Sequence, residues 1–330
     1  MKSKIKDSPV KALEQESVGA LRRQYRKIRR LRRFALPRIG VLKQYAPRPI
    51  RIAPAPADAL DRSALPKISI VTPSYEQGPF LRDSIESVLN QSYPLVEYFV
   101  QDGGSTDNSL SILSEFESRL SGWSSAPDHG QAHAINQAFQ HTGGEIMAWL
   151  NSDDLLMPGA LDRVASYFQR HPEISVVYGN RLLVDEQGLE IGRWILPAHD
   201  DEILRWVDYV PQETLFWRRS AWEAVGASLD ESLQFALDWD LLLRFQQAGA
   251  KFARLPHFIG AFRVHPTQKT SAHMDSVGAR EIEILHRRHL GFTPTQAQIH
   301  WRARWYLWRH LLEHTRINFR HWIRGRQARP

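Results

Sequence analysis

Aspartates gather at the ends of apolar runs in this chain. In GEIMAWLNSDD (144–154) a stretch fit to be a buried strand stops at Asn151 and delivers Asp153 and Asp154 side by side. VEYFVQD ends on Asp102, and FALDWDLLLRF carries Asp238 and Asp240 just before a leucine-rich run. Carboxylates sharing one crevice repel one another unless something positive sits among them. A hard divalent cation, Mg2+ or Mn2+, answers that need and also grips a substrate diphosphate. His265 in AFRVHPTQKT, between Arg263 and Lys269, adds a metal ligand or a phosphate clamp. Each motif has a plainer use as well: NSDD and DWD can cap or charge helix N-termini, DGGSTD can be a glycine turn, and His265 can be a surface histidine.

Strands and helices must bring these groups together. KISIVTPSY, VEYFVQD, EIMAWL and ISVVYGN read as strands, while FLRDSIESVLNQ, residues 110–120 and HAINQAFQHT carry apolar residues at helical spacing. The alternation predicts an α/β fold, an open and mostly parallel sheet with helices on both faces. Ligands of such sheets sit beyond the carboxyl ends of the strands, so Asp102, Asp153 and Asp154 should share one rim. Neither a G-x-G-x-x-G fingerprint nor a G-x-x-x-x-G-K-[ST] loop is present, which weakens dinucleotide and P-loop readings.

The charge is unevenly spread. Residues 1–51 carry +13 and residues 300–330 carry +7, whereas residues 52–299 carry −13. The segment 21–34, LRRQYRKIRRLRRF, reads as a basic amphipathic helix, followed by a proline-rich linker. The C-terminal segment sets Trp301, Trp305, Trp308, Leu312 and Phe319 along one helical stripe among arginines. That stripe suits either packing on the body or an anionic membrane surface, where each nearby Lys or Arg contributes roughly 1 kcal/mol. Three regions are expected: 1–60 (basic helix and linker), 61–272 (the α/β domain) and 273–330 (a basic, Trp-rich helical extension). Without cysteine or an 18-residue apolar run, a cytoplasmic protein lying peripherally on the inner face of the membrane is expected. The basic arms also raise a nucleic-acid-binding alternative. The acidic body and the lack of a recognition motif weigh against a nucleic-acid partner.

Five stretches in order resemble the family 2 glycosyltransferases, nucleotide-sugar enzymes of the GT-A fold: ISIVTPSYEQGPFLRDSIESVLNQSYP, DGGSTDNS, PDHGQAHAINQAF, LNSDD, and LDWDLLLR with RVHPTQKT. The resemblance spans about 200 residues, 67–270. It implies that Pro73, Tyr75 and Glu76 open the nucleotide pocket, that Asp102 hydrogen-bonds the base, and that Asp128 lies near the nucleotide. It further implies that Asp153 and Asp154 serve the metal and the ribose-diphosphate, with His265 as a further metal ligand. Asp238 becomes the catalytic base, with Asp240 as the competing choice. Gln212 falls where the family binds acceptor, and Arg263 and Lys269 near the phosphates. The family's Asp-x-Asp appears here as Asn151-x-Asp153, and the Gln-x-x-Arg-Trp motif of its processive members is absent after Asp238. A non-processive, inverting transfer follows, from a nucleotide sugar (UDP by default) to a hydroxyl of a glycan or lipid-linked acceptor. A metal-dependent nucleotidyltransferase would use similar strand-end carboxylates.

Overall fold

In the computed structural model, which describes residues 44–52, 60–266, 268 and 277–327, β2 (Ile68–Ser74) is buried along its whole length. The helix expected at 21–34 lies outside the described residues. Successive side chains of a strand point to opposite faces, and here they feed two cores. Ile68 and Ile70 join one core and Val71 the other; in β5 (Ile146–Trp149), Ile146 and Ala148 divide in the same way from Met147 and Trp149. Burial on both faces explains why these strands read as continuous apolar runs rather than as alternation.

The faces are covered by helices. α1 (Gly78–Leu89), α2 (Ser109–Phe116) and α4 (Ala160–Arg170) pack on one; α3 (Gln131–Gln140) and α7 (Leu237–Gln247) pack on the other. β5, β2, β3 (Val96–Asp102) and β4 (Gly122–Ser125) pair in parallel, as expected for the nucleotide-binding half of an α/β fold. Beyond β5 the sheet turns mixed. β9 (Phe216–Arg218) joins β5 to β7 (Val176–Val184) antiparallel; β8 (Glu190–Trp194) continues antiparallel, while β10 (Phe252–Arg263) runs parallel to β7 and antiparallel to β6 (Leu155–Leu156).

Three expectations change. Part of the proline-rich stretch is β1 (Gln44–Arg48), an edge strand on β8 anchored by Arg48 to Glu190 at 2.6 Å. Pro47 is tolerated there because an edge strand leaves amides unpaired on one side. The run NSDD caps no helix, since β6 intervenes and α4 starts after Gly159. Nor do Asp238 and Asp240 precede their helix, for α7 already begins at Leu237.

The C-terminal extension is not a separate body; the described residues form one compact unit. α8 (Ala279–Leu290) sends Glu281 to the start of α7, where its carboxylate accepts the amides of Gln234, Phe235 and Ala236 at 2.8–2.9 Å. These amides precede the helix turn that carries Asp238, so α8 fixes that turn. α9 (Gln296–Gln327) lays Ala303, Tyr306 and Leu307 on the body, with short α5 (Asp201–Leu204) as a neighbour. No helix among the described residues is long and apolar enough to cross a membrane.

Glu281→Ala should leave the amides of Gln234, Phe235 and Ala236 without this acceptor and lower the unfolding free energy by about 1–3 kcal/mol. Urea denaturation checks this, and a midpoint equal to wild type would show that water satisfies those amides.

Candidate functional site

β2 ends at Ser74 opposite Asp102 of β3, and Asp102 pairs in turn with Ser125 of β4. The loops leaving this edge brace each other. Ser105 Oγ accepts the Glu76 amide at 2.8 Å; Glu76 Oε1 accepts the amide (2.8 Å) and hydroxyl (2.9 Å) of Thr106; Asp107 Oδ2 accepts the Gly78 amide at 2.8 Å. Glu76 has a φ of 53°, a left-handed conformation costing a residue with a side chain about 1–2 kcal/mol. The bonds to the neighbouring loop hold it there.

Asp102, fully buried, accepts four hydrogen bonds of 2.6–3.0 Å from the amides of Gly104 and Ser105 and the hydroxyls of Ser105 and Ser125. A carboxylate offers about four acceptor positions. Asp102 therefore shapes the loop, with three of these bonds on Oδ2 and one on Oδ1. Next to it, a Cβ on Gly103 would stand 2.8 Å from Asp128 Oδ2 and 3.3 Å from Tyr75 Cδ2. The exposed Tyr75 ring and the Asp128 carboxylate thus converge over bare backbone, with Asp128 Oδ1 fixed by the Gly130 amide at 2.7 Å. An aromatic face beside an acceptor oxygen can stack a base and receive its N–H. Pro73 is buried within β2 and acts through the backbone it fixes.

At the end of β5, Asp153 and Asp154 go different ways. Asp153 Oδ2 lies 3.0 Å from His265 Nε2, and the His265 ring packs on Phe80 at 4.5 Å. Asp154 turns inward. Its Oδ1 accepts the Arg263 amide at 3.1 Å and its Oδ2 faces Asn151 Nδ2 at 3.3 Å. Burial first, then the charges of Asp153 and Glu213, push its carboxyl well above the usual carboxylate range. Asn151 can donate to Asp154 while accepting from Gln131 at 2.8 Å. A second ionised acid at that position would instead add to the repulsion.

Arg263 is held by the protein itself. Its buried guanidinium donates to Asp153 O (2.9 Å), Glu186 O (2.8 Å) and Asp83 Oδ2 (2.9 Å) and lies over the Phe80 ring. It is a brace for the Asp153 backbone, not a free phosphate clamp. Lys269 lies outside the described residues.

A hard carboxylate oxygen and an imidazole nitrogen at 3.0 Å fit an open Mg2+ or Mn2+ site, which completes its shell with water and substrate phosphate. Asp154, the other expected metal ligand, has its oxygens on the Arg263 amide and near Asn151 Nδ2. Among the described residues, His129, His133 and Glu231 also bring ligand atoms within 4.8 Å of one another, a grouping hidden by their separation in sequence.

The third part of the site went unseen in the sequence. Arg181 of β7 makes a two-pronged ion pair with buried Glu213 (2.7 and 2.5 Å), its guanidinium stacked over Phe262 and Trp194. A Cβ on Gly260 would stand 2.5 Å from Glu213 O, so only glycine lets β10 approach this closely. Arg181 is the cation that Asp154, Asp208 and Asp238 all feel. Asp208, in the segment after α5, feels the charges of both Asp238 and Arg181. Burial first, then the Asp238 charge, raises its carboxyl well above the ordinary value. Burial likewise lifts Asp238 to about 6 despite its place in the first turn of α7, where a helix dipole favours the ionised form. Asp240 is committed elsewhere, to Arg244 (2.7 Å) and Arg288 (2.8 Å). Gln212 fastens the end of β5 by donating to Trp149 O at 2.9 Å, and its buried Oε1 has no hydrogen-bond partner.

The sequence profile described as Glycosyl transferase family 2 matches residues 69–229. The O-antigen biosynthesis protein RfbC of Myxococcus xanthus is 31% identical over 212 residues, covering 63% of this chain and 16% of RfbC. An uncharacterized glycosyltransferase of Nostoc sp. (alr2836) is 30% identical over 135 residues, covering 36% of this chain and 40% of that protein. The chain thus spans less than half the length of these curated relatives. The structure of S. aureus TarS 1–349 in complex with UDP-GlcNAc is similar with a TM-score of 0.56 at 19% identity, covering 74% of this chain and 72% of that one. It has the same fold.

Arg263→Lys should retain the charge but lose the planar fork that reaches Asp153 O, Glu186 O and Asp83 together. A loss of roughly 3 kcal/mol in unfolding free energy is expected by urea denaturation. Wild-type stability would refute the bracing role.

Proposed function

Residues 69–229 belong to glycosyl transferase family 2, and from that premise we propose that the protein transfers one sugar at a time, with inversion, from a nucleoside diphosphate sugar to an acceptor hydroxyl. The observation that carries this reading is Asp238, a carboxyl lifted to about 6 in the first turn of α7, facing Asp208 and free of the ion pairs that occupy Asp240. A general base works best with a pKa near the operating pH. Asp238 takes the acceptor proton as the acceptor oxygen bonds to the anomeric carbon. The bond from that carbon to the diphosphate breaks on the opposite face, and its electron pair leaves with the nucleoside diphosphate. Attack from the face opposite the leaving group inverts the configuration.

Burial and the Asp238 charge raise the Asp208 carboxyl, which in its protonated form can donate to the acceptor. Tyr75 and Asp128 receive the base, and the braced loop around Asp102 and Glu76 sets their positions. Asp153 and His265 would hold a divalent cation, which when bound offsets the negative charge growing on the leaving diphosphate. TarS carries UDP-GlcNAc, and a UDP-sugar is the donor this reading assigns. RfbC, by its name, serves O-antigen biosynthesis, which favours a surface-glycan acceptor built on a lipid carrier at the cytoplasmic face of the membrane.

Asp238→Asn should reduce transfer about a thousandfold, with nucleotide-sugar affinity unchanged by calorimetry; an active variant would remove Asp238 from the role of base. In the wild type, kcat/KM should fall about tenfold per pH unit below pH 6, where Asp238 is protonated, and level off above it. A flat profile between pH 5 and 7 would contradict this assignment.

A further inference from the structure

We propose that the exposed face of α9 seats the protein on an anionic bilayer and so presents the acceptor end of the crevice to a lipid-borne acceptor; the second half rests on the glycosyl-transfer reading. Trp301, Trp305, Trp308 and Leu312 follow one another at steps of four, three and four residues, which keeps them on one stripe of the helix. They are 57%, 69%, 47% and 65% exposed, whereas Ala303, Tyr306 and Leu307 on the other side are buried against the body. The helix therefore has one face satisfied and one apolar face open. Contiguous apolar surface of this kind marks an interaction site.

The chemistry of the rim selects the partner. Arg304 lies over the rings of Trp301 (4.5 Å) and Trp305 (5.8 Å), and Arg302 over Trp301 (5.5 Å). Residues 300–330 carry eight Lys or Arg against one acid. Indoles flanked by guanidinium groups suit the headgroup layer of a negatively charged membrane, where the ring enters the acyl boundary and the cation meets phosphate. A second protein chain would have to cover the same cations with acids. The only acid in this segment is Glu313, so a second copy pairing through α9 would set cation against cation.

The seat is mechanically joined to the reaction. Arg302 and Arg309 tie α9 to Glu202 (2.8 Å) and Asp200 (3.6 Å) at α5. Tyr306, from the buried face, packs on Tyr209 at 4.7 Å, and Tyr209 follows Asp208, the partner of Asp238. Two aromatic side chains thus separate the proposed membrane face from the acid pair.

The test uses the full chain and vesicles of phosphatidylcholine alone or mixed equally with phosphatidylglycerol. Wild type should co-sediment with the mixed vesicles, and brominated lipid should quench its tryptophan emission. W301A/W305A/W308A should bind about tenfold more weakly or worse and lose the quenching, with an unchanged melting temperature. W305E, at the most exposed position, repeats the test with a single change. Vesicle binding requires no sugar transfer, so its outcome is separate from that of the Asp238 assignment. The proposal is overturned if the variants sediment as wild type does. It is equally overturned if wild type ignores both vesicles and the substitutions instead convert a dimer to a monomer.

Discussion

A single guanidinium stands among more acids than it can neutralise. Arg181 is locked to Glu213, yet Asp154, Asp208 and Asp238 also lie within its field and Asp153 is next to Asp154. One cation in a poorly solvated site cannot balance five carboxylates, and the cost of burying unpaired charge is high. The surplus is relieved in two ways on the protein's side. Asp154 and Asp208 are driven toward their protonated forms, and Asn151 stands where another acid would have worsened the crowding. Asp153 and Asp238 are the residues proposed to receive a cation and a proton.

Many side chains that look chemical in the sequence turn out to hold backbone. Asp102 gathers the loop after β3, Arg263 ties down the carbonyl of Asp153, and Glu281 fastens the entry to α7. Buried amides and carbonyls must find partners. A loop-built site carries many of them, so much of its polar inventory is needed for its own shape. The residues left for reaction are few, and their freedom depends on the others being occupied.

The central strands and helices were legible because burial on both faces writes itself as apolar runs and 3.6-residue spacing. Motif order also put Asp153, His265 and Asp238 among the candidate residues. Arg181, Glu213 and Asp208 could not, since each is a lone charge whose meaning arises only when β7, the turn at Gln212–Thr214 and the segment after α5 meet. The same limit hid the bracing bonds of Arg263 and Asp102, many of which go to backbone atoms that carry no residue-type signal. β1 was hidden by prolines that suit an edge strand as well as a linker.

The central proposal is that Asp153 and His265 would hold a divalent cation shared with the donor's diphosphate. Calorimetric titration of UDP into the protein with and without Mn2+ measures that coupling directly. Mn2+ should strengthen UDP binding by about tenfold or more, and Asp153→Ala should abolish the gain while UDP still binds. Equal UDP affinity with and without the metal in the wild-type protein would contradict it.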